Sequence, residues 1–338
     1  MGATRRRRTW AGMLALALVA GMSSCAPGAQ SDVWLAEPLT YESATEGSQE
    51  SRPTDVTYVM HVVTNDTDGG FWSASSGSWL HIDANGETVR RFNDFESPTP
   101  NHLAAASPTL LLAAVGAPLL STPHPPGLYR IDTTTKRWER LPVTATRVGA
   151  IATDGERITY VDYADEYPLP DGRGGTYTIR QVDASGEQSV LLAADPARLA
   201  SDTRLATDAS GLLWVATETN VFTVAADGTV TPVSTHSTSV PVLAVNAGGS
   251  AIVAADASDT EIPWRLSGGS RDARSIVEHS QGRPLAVVRN GGENAVLSFA
   301  ANAVAAVWLD DERLVAVIPG SGDEAVLLRV RVPEAPAD

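Results

Sequence analysis

The feature that most constrains the fold is a recurring unit of two short apolar strands reversed at Asp, Asn or Gly. Ala150–Val161 (AIATDGERITYV), Leu205–Ala216 (LATDASGLLWVA), Val242–Val253 (VLAVNAGGSAIV) and Ala306–Val317 (AVWLDDERLVAV) are four copies of one hairpin. A second hairpin follows, in which an alternating strand turns at Asp and returns more polar. Trp79–Val89 (WLHIDANGETV), Leu128–Asp132 before Trp138, Ile179–Gly186 and Val221–Val230 carry it. The turn residues have a physical cause. Gly accepts positive φ and Asp bonds the backbone ahead of it, so the strand reverses at low strain. Apolar runs broken at this pitch mean an all-β chain, and a fixed period means repetition.

Two hairpins make one four-stranded antiparallel sheet, which cannot bury both of its faces alone. Stacking such sheets radially buries them, giving an all-β β-propeller. Counting the strand that opens each second hairpin gives seven, near Trp79, Leu128, Ile179, Val221, Pro263, Val296 and Val326. Their spacing shrinks from about 50 to about 30 residues along the chain, whereas a four-stranded blade needs about 40 to 45. Seven blades are therefore expected, with six open. The ring would close through a strand at Val33–Leu35, or through Thr57–Val63 pairing with Val326–Val332.

The best copy, Asp208–Thr217 (DASGLLWVAT), resembles bacterial propeller repeats of the NHL, YVTN and two-component-regulator types. That resemblance implies a disc with a central channel and two loop faces, and implies no ligand. Trp72, Trp79, Trp138, Trp214, Trp264 and Trp308 fall on expected strands, where repeated aromatics fill the gaps between blades.

The N-terminus has a different character. Arg5–Arg8 precede an apolar run, Met13–Met22, too short for the roughly 20 residues a membrane span needs. Such a charged and then apolar start reads as a secretory leader over residues 1–24. The single cysteine, Cys25, follows Met22-Ser23-Ser24 and resembles a lipobox. The resemblance implies cleavage before Cys25 and a diacylglyceryl group on its thiol, hence a lipid anchor on the extracytoplasmic face of the cell membrane. Two or more acyl chains hold a protein stably. Thr4–Trp10 matches a twin-arginine signal loosely, so both export routes stay open. The expected organisation is a leader (1–24), lipidated Cys25 with a flexible Ser, Glu and Pro-rich tether (25–54), the propeller (55–333) and a short tail (334–338).

Without the four leader arginines, 21 basic residues face 40 acidic ones, a formal charge of −19. Nucleic acids and anionic headgroups bind through Lys and Arg, so this surface argues against a nucleic-acid partner. With no second cysteine the core must hold the fold without disulfides.

Catalytic signatures are missing. The one lysine, Lys136, lies in no P-loop, and neither Gly-x-Gly-x-x-Gly nor Gly-x-Ser-x-Gly occurs. The six histidines (His61, His81, His102, His124, His236 and His279) are too far apart to share a face as zinc ligands, although a channel gathers distant residues. His61 and His81 read as packed strand residues. Asp66-Thr67-Asp68-Gly69-Gly70 partly matches a calcium loop but lacks its flanking acids and reads as a hairpin turn. No cofactor follows from these residues, and calcium has only that partial match. Long loops on rigid repeats carry binding, which makes Asp162, Asp165, Glu166, Tyr167 and Asp171, in and beside the segment Tyr163–Gly175, the candidate binding residues. Two functions fit. One is a membrane-anchored module binding a protein or envelope ligand; the other is a propeller hydrolase or lactonase with a divalent metal in the channel.

Overall fold

The turn chemistry sets the strand ends. At Asp208 the backbone N–H bonds to Leu212 O at 3.2 Å, while the carboxylate accepts the N–H groups of Ser210 (2.9 Å) and Leu212 (3.1 Å). Gly211, at φ 81°, completes the reversal. Asp183 repeats the arrangement, accepting from Ser185 at 2.8 Å and Glu187 at 3.0 Å. Asp66–Gly70 is the expected hairpin turn: Thr67 N–H donates to the Asp66 carboxylate at 2.7 Å, and a side chain on Gly70 would stand 2.2 Å from Ile82 O.

In the computed structural model of the chain these hairpins assemble into six blades. The structure describes residues 34–332 apart from 39–40, 45–50, 55–56, 59–61, 76–77, 86, 94–99, 116–124, 146, 164–176, 194–198, 200–201, 236–240, 255–263, 280–284, 290–294, 298–302 and 321–323. From the axis outward, blade one is Val62–Asn65, Phe71–Ser75, Ser78–Ile82 and Thr88–Asn93. Blade two is His102–Ser107, Leu110–Val115, Gly127–Asp132 and Arg137–Arg140. Blade three is Val148–Thr153, Ile158–Tyr163, Tyr177–Val182 and Gln188–Ala193. Blade four is Arg204–Thr207, Leu213–Ala216, Asn220–Val224 and Val230–Thr235. Blade five is Leu243–Val245, Ser250–Ala254, Leu285–Arg289 and Ala295–Leu297. Blade six is Ala305–Trp308, Arg313–Pro319 and Glu324–Arg331, completed by Trp34–Pro38.

Each neighbouring pair of blades buries an apolar cluster between its facing sheets. Trp72, Trp79, Leu111 and Tyr129 fill the gap between blades one and two, and Trp214, Val221 and Val253 that between four and five. Phe71 and Ile82 of blade one meet Val315 and Leu327 of blade six, so the stacking returns to its start. The strand-borne tryptophans are gap fillers: Trp72, Trp79, Trp214 and Trp308 are all at most 2 % exposed. His81 packs as expected, stacked on Trp72 at 4.4 Å with its Nε2 2.6 Å from the Asp66 carboxylate.

The count of seven is corrected to six. Val296 does not open a hairpin, and Pro263 itself lies outside the described residues. The residue after Pro263 begins Trp264–Leu266, a strand added in parallel outside Trp34–Pro38, and Val296 sits in the outer strand of blade five. The third strand of that blade is Leu285–Arg289. A connection carrying Trp264–Leu266 and the helix Arg271–His279 separates it from the second strand, and this insertion breaks the period.

The closure through the N-terminal run occurs, while Thr57 pairs with the last blade just before the expected Val326–Val332, not within it. Leu35–Pro38 pair antiparallel with Leu328–Arg331, and Thr57–Tyr58 pair with Glu324–Ala325. The segment read as a tether therefore supplies the fourth strand of the last blade, and begins it at Trp34, within the Val33–Leu35 run that stands out from its polar surroundings. Ala36 is fully buried there, and Arg329 Nε donates to Glu37 at 2.7 Å. The leader, Cys25 and the tail 334–338 lie outside the described residues. Among the described residues no helix is long and apolar enough to cross a membrane.

Candidate functional site

The innermost strands crowd around the axis, so their inward positions are small: His102–Ser107 reads HLAAAS and Val148–Thr153 reads VGAIAT. They enclose a channel of about 180 Å³ lined by all six blades. Its polar groups fall at the two ends. Asn101, His102 and Arg204 stand where the innermost strands begin, and Asn65, Thr153 and Thr207 where they finish. Among the described residues no Asp or Glu lines it, an unusual surface in a chain with 40 acidic residues.

Arg204 opens blade four. Its Nη1 donates to Asp202 O at 2.9 Å and Thr203 O at 3.5 Å, which fixes the guanidinium against the backbone. Among the described residues Nε and Nη2 have no hydrogen-bond partner, and Arg204 makes no ion pair. Burial lowers its pKa, offset by the negative field of Asp202 and by Tyr163; the group stays charged at neutral pH. His102 opens blade two. Burial, then the Arg204 charge, push the imidazole down to about 3, so it is neutral in the channel. Around the mouth, Asp202 raises the Glu218 pKa by its charge and by a hydrogen bond. Burial, then Tyr177, push Tyr163 up to about 12, with Arg204 and Asp202 also acting on it.

The His102 shift has a thermodynamic consequence. A folded-state pKa below the ordinary 6.5 means the unfolded chain takes up a proton that the native state refuses, so stability is complete above pH 6.5 and falls as pH drops towards 3. The expected slope is about 1.4 kcal/mol per pH unit. Urea denaturation between pH 6.5 and 4.5 should show it in the native protein, and His102→Asn should flatten it by about one proton. Equal slopes in the two proteins would contradict the burial of a neutral imidazole.

The residues expected to bind divide between two situations. Asp162 is a strand residue of blade three, 7 % exposed, and Arg180 Nε donates to its carboxylate at 2.7 Å. It is engaged in a pair across adjacent strands. Asp165, Glu166, Tyr167 and Asp171 lie outside the described residues. The residues that flank them, Tyr163 and Tyr177, meet edge to face at 4.9 Å on the ring end that carries Arg204. His279 bonds Ser275 O on its own helix at 2.7 Å, and His61, His124 and His236 lie outside the described residues. Among the described residues no three His, Cys, Asp or Glu side chains converge as metal ligands do. Arg204 escaped the sequence reading, because nothing local distinguishes an arginine at a blade start from one on the rim.

No protein-family model matches the chain. No curated protein sequence matches it either. Solved structures do. A gluconolactonase-like protein aligns over 88 % of this chain and 92 % of its own, at 13 % identity and a TM-score of 0.51. The calcium-binding protein regucalcin from Agrobacterium tumefaciens covers 89 % of this chain and 98 % of its own at 13 % identity, with a TM-score of 0.49. Virginiamycin B lyase from Staphylococcus aureus, in an inactive variant with quinupristin, covers 82 % and 99 % at 11 % identity and a TM-score of 0.46. At these identities the likeness is one of fold, the all-β propeller.

Proposed function

We propose that the protein is a lipid-anchored extracytoplasmic propeller that binds a protein or envelope ligand at the end of the ring where Arg204 and His102 stand. The observation that carries this reading is the asymmetry of the connections. At the opposite end the hairpin turns are tight, as at 66–70, 154–157, 183–187 and 208–212. At the Arg204 end the connections 116–126, 164–176 and 255–284 are long. A rigid ring that concentrates its long loops on one face is built to present them. The leader and the lipobox-like Cys25 support the anchor, and the acidic surface supports a partner other than nucleic acid.

A channel hydrolase with a divalent metal would need several carboxylates converging on the axis. The described lining offers one imidazole, two asparagines and an arginine, a donor set that suits an anion better than a cation.

The test places a photocrosslinking residue at Glu218, on the loop face, and separately at Glu156, in a tight turn of the opposite face, with the protein in its own membranes. Glu218 should yield a discrete adduct that Glu156 does not. Equal labelling from the two faces, or none from Glu218, would contradict the assignment.

A further inference from the structure

The free edge of a half-buried arginine in the channel wall bears on what the channel takes. Arg204 Nη1 is held by two backbone carbonyls, which leaves Nε–H and the Nη2 hydrogens unbonded among the described residues and parallel, the fork that matches a carboxylate with two hydrogen bonds. A guanidinium so placed, half-buried and without an ion pair among the described residues, feels the field of Asp202 and keeps an edge open to an anion. We infer that the channel mouth is a binding site for the carboxylate of a small organic molecule, held by the Arg204 guanidinium with His102 and Asn101 beside it. This rests on the reading that this end of the ring is the binding end.

Three observations narrow the ligand. Among the described residues no acidic side chain lines the channel, so the negative charge nearest an incoming anion is Asp202 at the mouth, whose field acts on both Arg204 and Glu218. His102 is neutral and adds no second positive charge. The site thus offers a single cationic group, which suits a carboxylate better than a phosphate dianion. Beyond the polar mouth the wall is alanine and valine, Ala104, Ala150, Ala206 and Val242 among them, and about 180 Å³ accommodates a small apolar body behind the charged head.

The experiment is calorimetric titration of the full-length mature protein at constant ionic strength with butyrate and benzoate, with butyramide and benzamide, and with inorganic phosphate. Both carboxylates should bind saturably, the amides at least tenfold more weakly, and phosphate more weakly than the carboxylates. Arg204→Gln should abolish butyrate binding, and Arg204→Lys, which keeps the charge and loses the fork, should weaken it. The comparison of carboxylate with amide needs no variant, so a folding defect in either substitution leaves it intact. Equal binding of acid and amide, tighter binding of phosphate, or butyrate binding by folded Arg204→Gln at the native level would overturn the proposal. Failure here with the Glu218 adduct intact removes the carboxylate site and leaves the binding face. Saturable butyrate binding with no Glu218 adduct removes the partner and leaves the carboxylate site.

Discussion

Replacing Ala36 with Asp is expected to destabilise the protein by about 3–5 kcal/mol, the range seen when a charge is left unpaired inside a protein. Ala36 has no exposed surface and packs in the cluster with Leu328, Val330, Leu314 and Trp308 between blades five and six. Its strand is held on both sides, by Val330 in register on the inner edge and by the strand Trp264–Leu266 on the outer, where Ser267 N–H donates to Ala36 O at 2.8 Å. A carboxylate at this position finds no cation in the cluster, so the strand is expelled with it. The neighbouring Glu37–Arg329 pair is half exposed, and Glu37→Gln should cost no more than about 1 kcal/mol. Urea denaturation of the two variants separates the cases. Similar midpoints would mean that Trp34–Pro38 is not part of the cooperative core.

Trp308→Ala should be as damaging, at about 3–5 kcal/mol for the lost indole. Trp308 joins three blades. Its side chain fills the gap between blades five and six, its indole N–H donates to Ala244 O of blade five at 3.2 Å, and its backbone carbonyl accepts from Asn65 of blade one. Removing the ring leaves a cavity and strips the Ala244 carbonyl of a donor, a further loss of about 1 kcal/mol. Trp308→Phe keeps most of the volume and loses the donor, so it should cost about 1–2 kcal/mol. Denaturation midpoints at constant slope check the order; a phenylalanine variant as unstable as the alanine variant would assign the effect to the hydrogen bond rather than to packing.

The fold was legible where its causes are local. Asp208, Asp183 and Asp227 bond the backbone two to four residues ahead, a pattern that a linear reading detects, and the tryptophans recur with the strands they fill. The blade count failed where the cause was not local. Between Ala254 and Leu285 the chain leaves blade five to add Trp264–Leu266 to blade six, and an apolar run on a neighbour's edge looks like one in its own blade.

The candidate site was less legible for the same reason. Asp162 looked free because its partner, Arg180, stands 18 positions away across a hairpin. His102 and Arg204 belong to blades two and four and meet only because a ring brings its innermost strands to one axis.

The central claim is that six blades close into a ring through the strand Trp34–Pro38. Hydrogen exchange along Leu328–Arg331 tests it most directly, because alternate amides of an antiparallel strand point to opposite neighbours. If the ring closes as described, every one of these amides is protected, and Ala36→Asp releases those directed at Trp34–Pro38. Fast exchange at alternate positions in the native protein, the signature of an open sheet edge, would contradict it.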